Sequence, residues 1–277
     1  METGKPSRTA YAAAVHRAAH QLADGGRILT DPIAVPIVGR QQHEILRDHD
    51  APGRRLMRHF IAARSRFAED HLARAYRNGI RQLVVLGAGL DTFAYRNPYP
   101  DLRVFEVDMP STQRWKRERL TEAKIKIPPT VTYVPIDFEH QTLASQLVLE
   151  PGPAFFAWLG VVPYLTRAAI DATIDYVAAR SGNEIVFDYP DPPESMTEEQ
   201  RKRHEERAAR VRSLGEPWRT YFTAPELAAD LRAKGLTEIE DLGPAQLAAR
   251  YLNRPDLPPN LTGGHLIWAA AHRSVAS

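Results

Sequence analysis

Cysteine is absent from the 277 residues of this chain, which excludes disulfides, a thiol nucleophile and thiolate metal ligands and fits a reducing, cytoplasmic setting. Long apolar runs are missing too. No window approaches the roughly 20 apolar residues that a membrane span requires. The first ten residues are polar with scattered charges, so the chain is expected to be soluble and untargeted. A one-sided charge is likewise lacking: 36 Lys and Arg stand against 34 Asp and Glu, a formal net charge of +2. That excess is too small for affinity built on phosphate contacts, and nucleic acid is not expected as the main partner. No metal site is expected, and there is no internal repeat or low-complexity tract. What is present, a 43% hydrophobic content, can bury a full core as one domain over residues 1–277 with a smaller cap.

Helical signals come first. Ser7 can cap a helix whose apolar stripe is Tyr11, Val15, Ala18, Ala19 and Leu22, with Gly25 and Gly26 as the stop. Thr30, Asp31 and Pro32 read as a second helix start, and a long amphipathic helix follows Pro52 and Gly53 as far as Arg77. Residues 1–79 are therefore predicted to form a helical lid or support region. From there short apolar strands alternate with helices, at 82–86, 103–107, 131–136, 154–158, 184–187, 236–239 and 265–271. The alternation predicts an α/β fold with a mostly parallel, seven-stranded, Rossmann-like sheet, its first five strands covered on both faces. After the fifth strand, residues 190–222 contain a highly charged helix at 197–213, read as a helical cap insertion that is either a solvated surface helix or a lid.

The most informative stretch is Leu83-Val84-Val85-Leu86-Gly87-Ala88-Gly89-Leu90-Asp91-Thr92, a buried strand that enters a Gly-x-Gly turn. Ligands bind outside the carboxyl ends of parallel strands, where small residues let the backbone come close; a tight structural turn would look the same. The next strand ends at Asp108, about 20 residues on, the separation at which an acidic side chain accepts ribose hydroxyls. Asp108 could instead cap the helix opened by Pro110. Glu106 shares its face of the strand and could support it. Thr92 stands where a dinucleotide fingerprint wants Gly or Ala, which favours S-adenosylmethionine (SAM) over NAD. Asp137, ending the third strand, could accept an adenine amino group or simply serve a turn. Arg64 emerges from the apolar face made by Phe60, Ile61, Phe67 and Ala68 and needs an anionic partner. That partner is either an internal carboxylate such as Asp70 or Asp91, or the carboxylate of a bound ligand.

Taken together, these pieces resemble the leucine carboxyl methyltransferase family and the bacterial SAM-dependent O-methyltransferases grouped with it. The resemblance rests on Thr30-Asp31-Pro32, on Ala63-Arg64-Ser65-Arg66-Phe67 with Asp70, on the glycine turn followed by Tyr95-Arg96, on Phe105-Glu106-Val107-Asp108-Met109-Pro110, and on Pro135-Ile136-Asp137-Phe138. It implies a class I methyltransferase sheet with Arg64 on the SAM carboxylate and Gly87, with Ala88, Gly89 and Asp91, along the methionine portion. Asp108 would hold the ribose, and Asp137 with Phe138 the adenine. Leu159 stands where many members have glutamate, so any contact there would be through its backbone. Val85, two residues before Gly87, is apolar as it is in this family.

The resemblance implies methyl transfer to a carboxylate or hydroxyl of a small molecule or peptide, by a monomer or homodimer. Tyr164, Tyr189 and Tyr11 are the candidate acceptor contacts, and the helix bearing Tyr11 could close as a lid. His20, His140, His204 and His265 lack a partner motif and are assigned no catalytic role. The alternatives are an NAD(P)-dependent Rossmann oxidoreductase and a non-catalytic SAM-binding sensor module. Asp191-Pro192-Pro193 is superficially like the motif with which DNA methyltransferases receive a flipped base, but it follows the wrong strand and lacks the aromatic residue.

Overall fold

The computed structural model describes residues 7–49, 52–137, 140–213 and 215–271. Seven strands, β1 (Gln82–Leu86), β2 (Arg103–Asp108), β3 (Val131–Pro135), β4 (Phe155–Trp158), β5 (Glu184–Pro190), β6 (Leu236–Leu242) and β7 (Gly264–Ala271), form one sheet in the order β3-β2-β1-β4-β5-β7-β6. β1 to β5 are parallel, and β7 runs antiparallel between β5 and β6. This is the mostly parallel α/β sheet that the sequence predicts. Strand order reverses between β1 and β4, and a crevice opens there beyond the carboxyl ends.

The two-residue period of β1 explains why the sheet is buried on both sides. Val84 and Leu86 enter one core with Phe156, Trp158 and Phe187, packed against Leu143 of α6 (Leu143–Gln146), Ile170 and Ile174 of α7 (Arg167–Ala178) and Leu227 and Leu231 of α9 (Ala224–Ala233). Leu83 and Val85 point to the opposite core, with Phe67 and Leu72 of α4 (Pro52–Arg77) and Leu247 of α10 (Pro244–Tyr251). A third cluster joins α1 (Arg8–Asp24), α2 (Ala34–Val38) and α3 (Gln42–Asp48) to Leu120 of α5 (Pro110–Glu122). Ser7 caps α1 by accepting the Ala10 N–H at 3.1 Å, and Gly25 closes it with φ +62°.

The structure differs from the sequence reading in several places. β3 is an edge strand with Thr132 and Pro135 exposed, so it is not covered on both faces. A capping box at Gln41 and Glu44 starts α3, which the sequence reading missed, as it did α10. β5 runs to Pro190 rather than ending at residue 187, which turns Asp188 and Tyr189 into strand residues. The charged helix α8 (Glu198–Ser213) buries His204 and is otherwise largely solvated, in keeping with its composition.

α4 spans 26 residues. At about 1.5 Å per residue it is roughly 39 Å long, more than the sheet can cover. Phe60 already meets Gly264, which pairs with Pro190 where β5 ends. The first turns of α4 therefore overhang the rim and help wall the crevice.

Candidate active site

The glycine turn is shaped by the carboxylate behind it. Gly87 and Gly89 have φ of +63° and +44°, and the N–H groups of Gly87 and Ala88 both reach the Val107 carbonyl, at 2.8 and 3.1 Å. The Gly89 N–H donates to Asp108 Oδ2 at 2.6 Å, and the Met109 N–H donates to Oδ1 at 2.7 Å. Asp108 is therefore not the helix cap, a position held by Met109. Burial pushes its carboxyl upward while these two N–H groups pull it back. A side chain on Gly87 would lie 2.4 Å from Val161 Cγ2, and one on Gly89 would lie 2.9 Å from Ala10 Cβ. The turn is thus hemmed in by the loop after β4 on one side and by α1 on the other. Asp91 turns the chain onward by accepting the Phe93 N–H at 2.9 Å.

Arg64 is placed over the second loop of the same rim. Its guanidinium lies against Gly160, whose Cβ position is 2.6 Å from Nη1, and it pairs with Asp188 at 3.2 Å. The Gly160 N–H donates to the other oxygen of Asp188. The internal partner is thus neither of the carboxylates suggested by the sequence: Asp70 bonds Arg66, and Asp91 serves its turn. Nε of Arg64 is buried and has no hydrogen-bond partner among the described residues. Leu159, just before Gly160, is half-buried against the core beneath α4.

Asp31, read as a helix start, has another role. It is fully buried, and α2 begins at Ala34. Its carboxylate accepts the Thr92 hydroxyl at 2.6 Å and the Ile33 N–H at 3.1 Å, and it faces Arg17 at 3.6 Å and Arg96 at 3.4 Å. Arg17 donates onward to the Leu90 carbonyl, and Arg96 forks onto Glu69. The hydroxyl of Thr92 thus ties the glycine turn to the N-terminal helices. Beyond it the chain makes only a short 3₁₀ turn, Phe93–Tyr95. No long helix begins there to set its N-terminus against a pyrophosphate.

Two residues before Asp108 on β2, Glu106 is buried and enclosed in polar contacts. It pairs with the equally buried Lys116 at 2.8 Å and accepts the Tyr95 hydroxyl at 2.9 Å, and that hydroxyl also meets Tyr133 at 2.8 Å. Glu106 therefore props β2 and α5 beneath Asp108. Asp137 follows β3; its N–H donates to the Gln141 side chain at 3.0 Å, and its carbonyl accepts from His140 and Gln141. Phe138 lies outside the described residues.

The three tyrosines are not brought together. Tyr164 is half-buried in the loop after β4, beside Trp218 and Thr9, and burial raises its phenol so that it stays protonated at neutral pH. Tyr189 is buried within β5, stacked on His265 at 4.8 Å, and gives its hydroxyl to Asp241. His265 itself sits between Asp241 at 2.8 Å and Asp191 at 3.3 Å; burial resists its charge, but the two carboxylates prevail and raise it to about 9. Tyr11 packs on Trp115 with its hydroxyl 3.4 Å from the Val38 carbonyl.

His16, on the inner side of α1, was not singled out from sequence. Its ring meets His49 edge-on at 4.5 Å, and the Nδ1 atoms of both rings are buried without a partner among the described residues. Burial, followed by His49, Arg54, Arg58 and Arg64, lowers His16 to about 3; burial with Arg54 and Arg58 lowers His49 to about 4. A histidine kept neutral in the fold contributes stability above its unfolded pKa of 6.5 and loses that contribution as the pH falls below 6.5 toward the folded value. Denaturant titrations should therefore show the pair costing on the order of 2 kcal/mol between about pH 6.5 and 5. A His16→Asn/His49→Asn variant should flatten that dependence, and an unchanged slope in the variant would refute the assignment.

A switch-point crevice with a carboxylate behind a glycine turn and an arginine over the neighbouring loop defines a Rossmann-like class of protein, whose sheets take ligands at that crevice. The chain belongs to the leucine carboxyl methyltransferase family, whose model matches residues 10–178. It is 35% identical over 203 residues to the Bacillus subtilis protein named "Putative S-adenosyl-L-methionine-dependent methyltransferase YktD", covering 70% of this chain. A Saccharopolyspora erythraea protein of the same description, without the YktD label, is 32% identical over 191 residues, or 65% of this chain. The chain spans 66% of the length of each of these relatives. Among solved structures, a Thermobifida fusca protein titled a "putative methyltransferase" superposes with a TM-score of 0.54 at 20% identity, covering 98% of this chain and 97% of its own. A DUF574 family protein from Streptomyces avermitilis gives 0.53 at 16% identity, with coverage of 96% and 98%. The two structures share this α/β fold. Among the described residues no helix is long and apolar enough to cross a membrane, and no group of three or more acidic or histidine side chains could hold a metal.

Proposed function

We propose that the protein is a SAM-dependent O-methyltransferase acting on a carboxylate or hydroxyl of a small molecule or peptide. One observation carries the reading: at a single rim, a buried carboxylate backs a glycine turn while a half-buried arginine keeps its buried Nε–H unsatisfied among the described residues. The donor set suits the group. Each oxygen of Asp108 accepts one backbone N–H and retains a lone pair, enough for two ribose hydroxyls. Arg64, with its unpartnered Nε, would take the methionyl carboxylate. The backbone of Gly87, Ala88, Gly89, Asp91 and Leu159 would line the chain between them, and Asp137 with Phe138 would receive the adenine. The short turn at Phe93–Tyr95 disfavours a dinucleotide, and the names carried by the relatives agree with SAM.

SAM supplies a methyl group activated on a sulfonium. The protein's part is to hold an acceptor oxygen about 3 Å from that carbon, in line and dry. A carboxylate is already ionised at neutral pH and needs no base; a hydroxyl would gain from one. Tyr164, protonated and beside the rim, is suited to donate a hydrogen bond to the acceptor. We read residues 1–79 as the lid and support of one domain and residues 190–222 as its cap.

The test has two stages. Purified protein is titrated with SAM and with NADH, and is then given tritiated SAM with a panel of carboxylic acids, phenols and alcohols. Saturable SAM binding with label transfer is expected, base-labile if the acceptor is a carboxylate and stable if it is a hydroxyl. NADH binding in place of SAM would overturn the cofactor, and SAM binding without turnover on any acceptor would leave a sensor module.

A further inference from the structure

Residues 216–222 leave α8 and cross the carboxyl ends of β4 and β5. The Arg219 N–H donates to the Pro163 carbonyl at 2.6 Å, the Thr220 hydroxyl to the Leu165 carbonyl at 2.6 Å, and the Phe222 N–H to the Pro190 carbonyl at 3.3 Å. The segment is a strap pinned beside Tyr164, on the side where an acceptor would enter. At its start Glu216 is buried and turned away from the strap, onto the first turn of α1. One carboxylate oxygen accepts the Arg8 N–H at 3.2 Å; the other accepts the Ser7 hydroxyl at 3.2 Å and the Thr9 hydroxyl.

The contact answers a local need. The first turn of a helix has N–H groups with no intrahelical acceptor, and its end carries partial positive charge. Ser7 satisfies Ala10, and Glu216 satisfies Arg8 from a position 208 residues away. On that same turn of α1, Ala10 packs against Gly89, and further along Arg17 donates to the Leu90 carbonyl. α1 is thus a plate lying on the glycine turn, with its front end fastened to the acceptor strap.

We propose that Glu216 is a positioning residue for the cofactor site: by capping α1 it presses Ala10 onto the Gly87–Gly89 turn and makes the acceptor strap and the cofactor turn open and close as one unit. The proposal rests on the SAM reading, and it predicts that SAM leaves only when this latch parts.

The experiment compares full-length wild type, Glu216→Ala and Glu216→Gln by amide hydrogen exchange without ligand and by the dissociation rate of labelled SAM under an S-adenosylhomocysteine chase. In Glu216→Ala, exchange should rise across residues 8–13 and SAM should dissociate about five- to tenfold faster, the scale for losing one N-terminal cap. Glu216→Gln, which keeps one acceptor oxygen, should fall between the two. Equal exchange in Glu216→Ala and wild type overturns the latch whatever SAM does. Faster exchange with an unchanged SAM dissociation rate overturns the positioning role. Failure of the wild type to take up SAM, read in a separate titration, overturns the cofactor reading instead.

Discussion

Replacing Asp108 with alanine is expected to weaken SAM binding by about 1–3 kcal/mol, the scale for losing a charged hydrogen-bonding partner, or roughly 5- to 150-fold in Kd. The carboxylate acts twice. It would receive the ribose, and it holds the Gly89 N–H at 2.6 Å, so its removal also frees the turn that must fit the ligand closely. Asparagine separates the two effects. Asp108→Asn keeps an acceptor for the Gly89 N–H but turns a donor toward the Met109 N–H, at the oxygen where a second hydroxyl must be accepted. Its turn should stay ordered while its affinity falls nearly as far as that of alanine. Calorimetric titration of both variants decides the matter: wild-type affinity in Asp108→Ala would remove this residue from the site.

The second large effect is expected at Arg64. Changing it to methionine leaves Asp188, with its side chain 7% exposed, without its cation and, among the described residues, with only the Gly160 N–H on its carboxylate. Removing one partner of a buried pair costs about 3 kcal/mol or more because the surviving charge is stranded. Arg64→Met/Asp188→Asn should recover most of that stability, since the stranded charge is gone. SAM affinity then distinguishes two roles. If Arg64 holds the ligand carboxylate, binding stays weak in the double variant; if it only anchors Asp188, binding returns with stability. Denaturant unfolding and SAM titration on the three variants and wild type give both answers.

Much of this molecule was legible in local pattern. The run Leu83–Leu86 alternates between the two cores as a strand with two covered faces must. Ser7, Gly25 and the stretch from Pro52 to Arg77 mark helix ends because caps and breakers act within a turn of themselves. The spacing from the glycine turn to Asp108 places both at one rim, since both lie at carboxyl ends of adjacent parallel strands. The second strand lies in register beneath them, with Val104 opposite Leu83. β3 was misjudged because its apolar residues look the same at an edge as in the middle of a sheet, and only the neighbours decide.

Sequence alone determined the strands, the glycine turn and the acidic residue behind it, because each depends on stereochemistry and hydrophobicity within a few positions. Tertiary structure alone decided that Arg64 meets Asp188, that Tyr189 spends its hydroxyl on Asp241, that His16 lies against His49, and that Glu216 caps α1. Those pairings join segments whose separation along the chain carries no periodic signal. A carboxylate, an arginine or a histidine acquires its role only when folding sets its partner beside it and excludes water from between them.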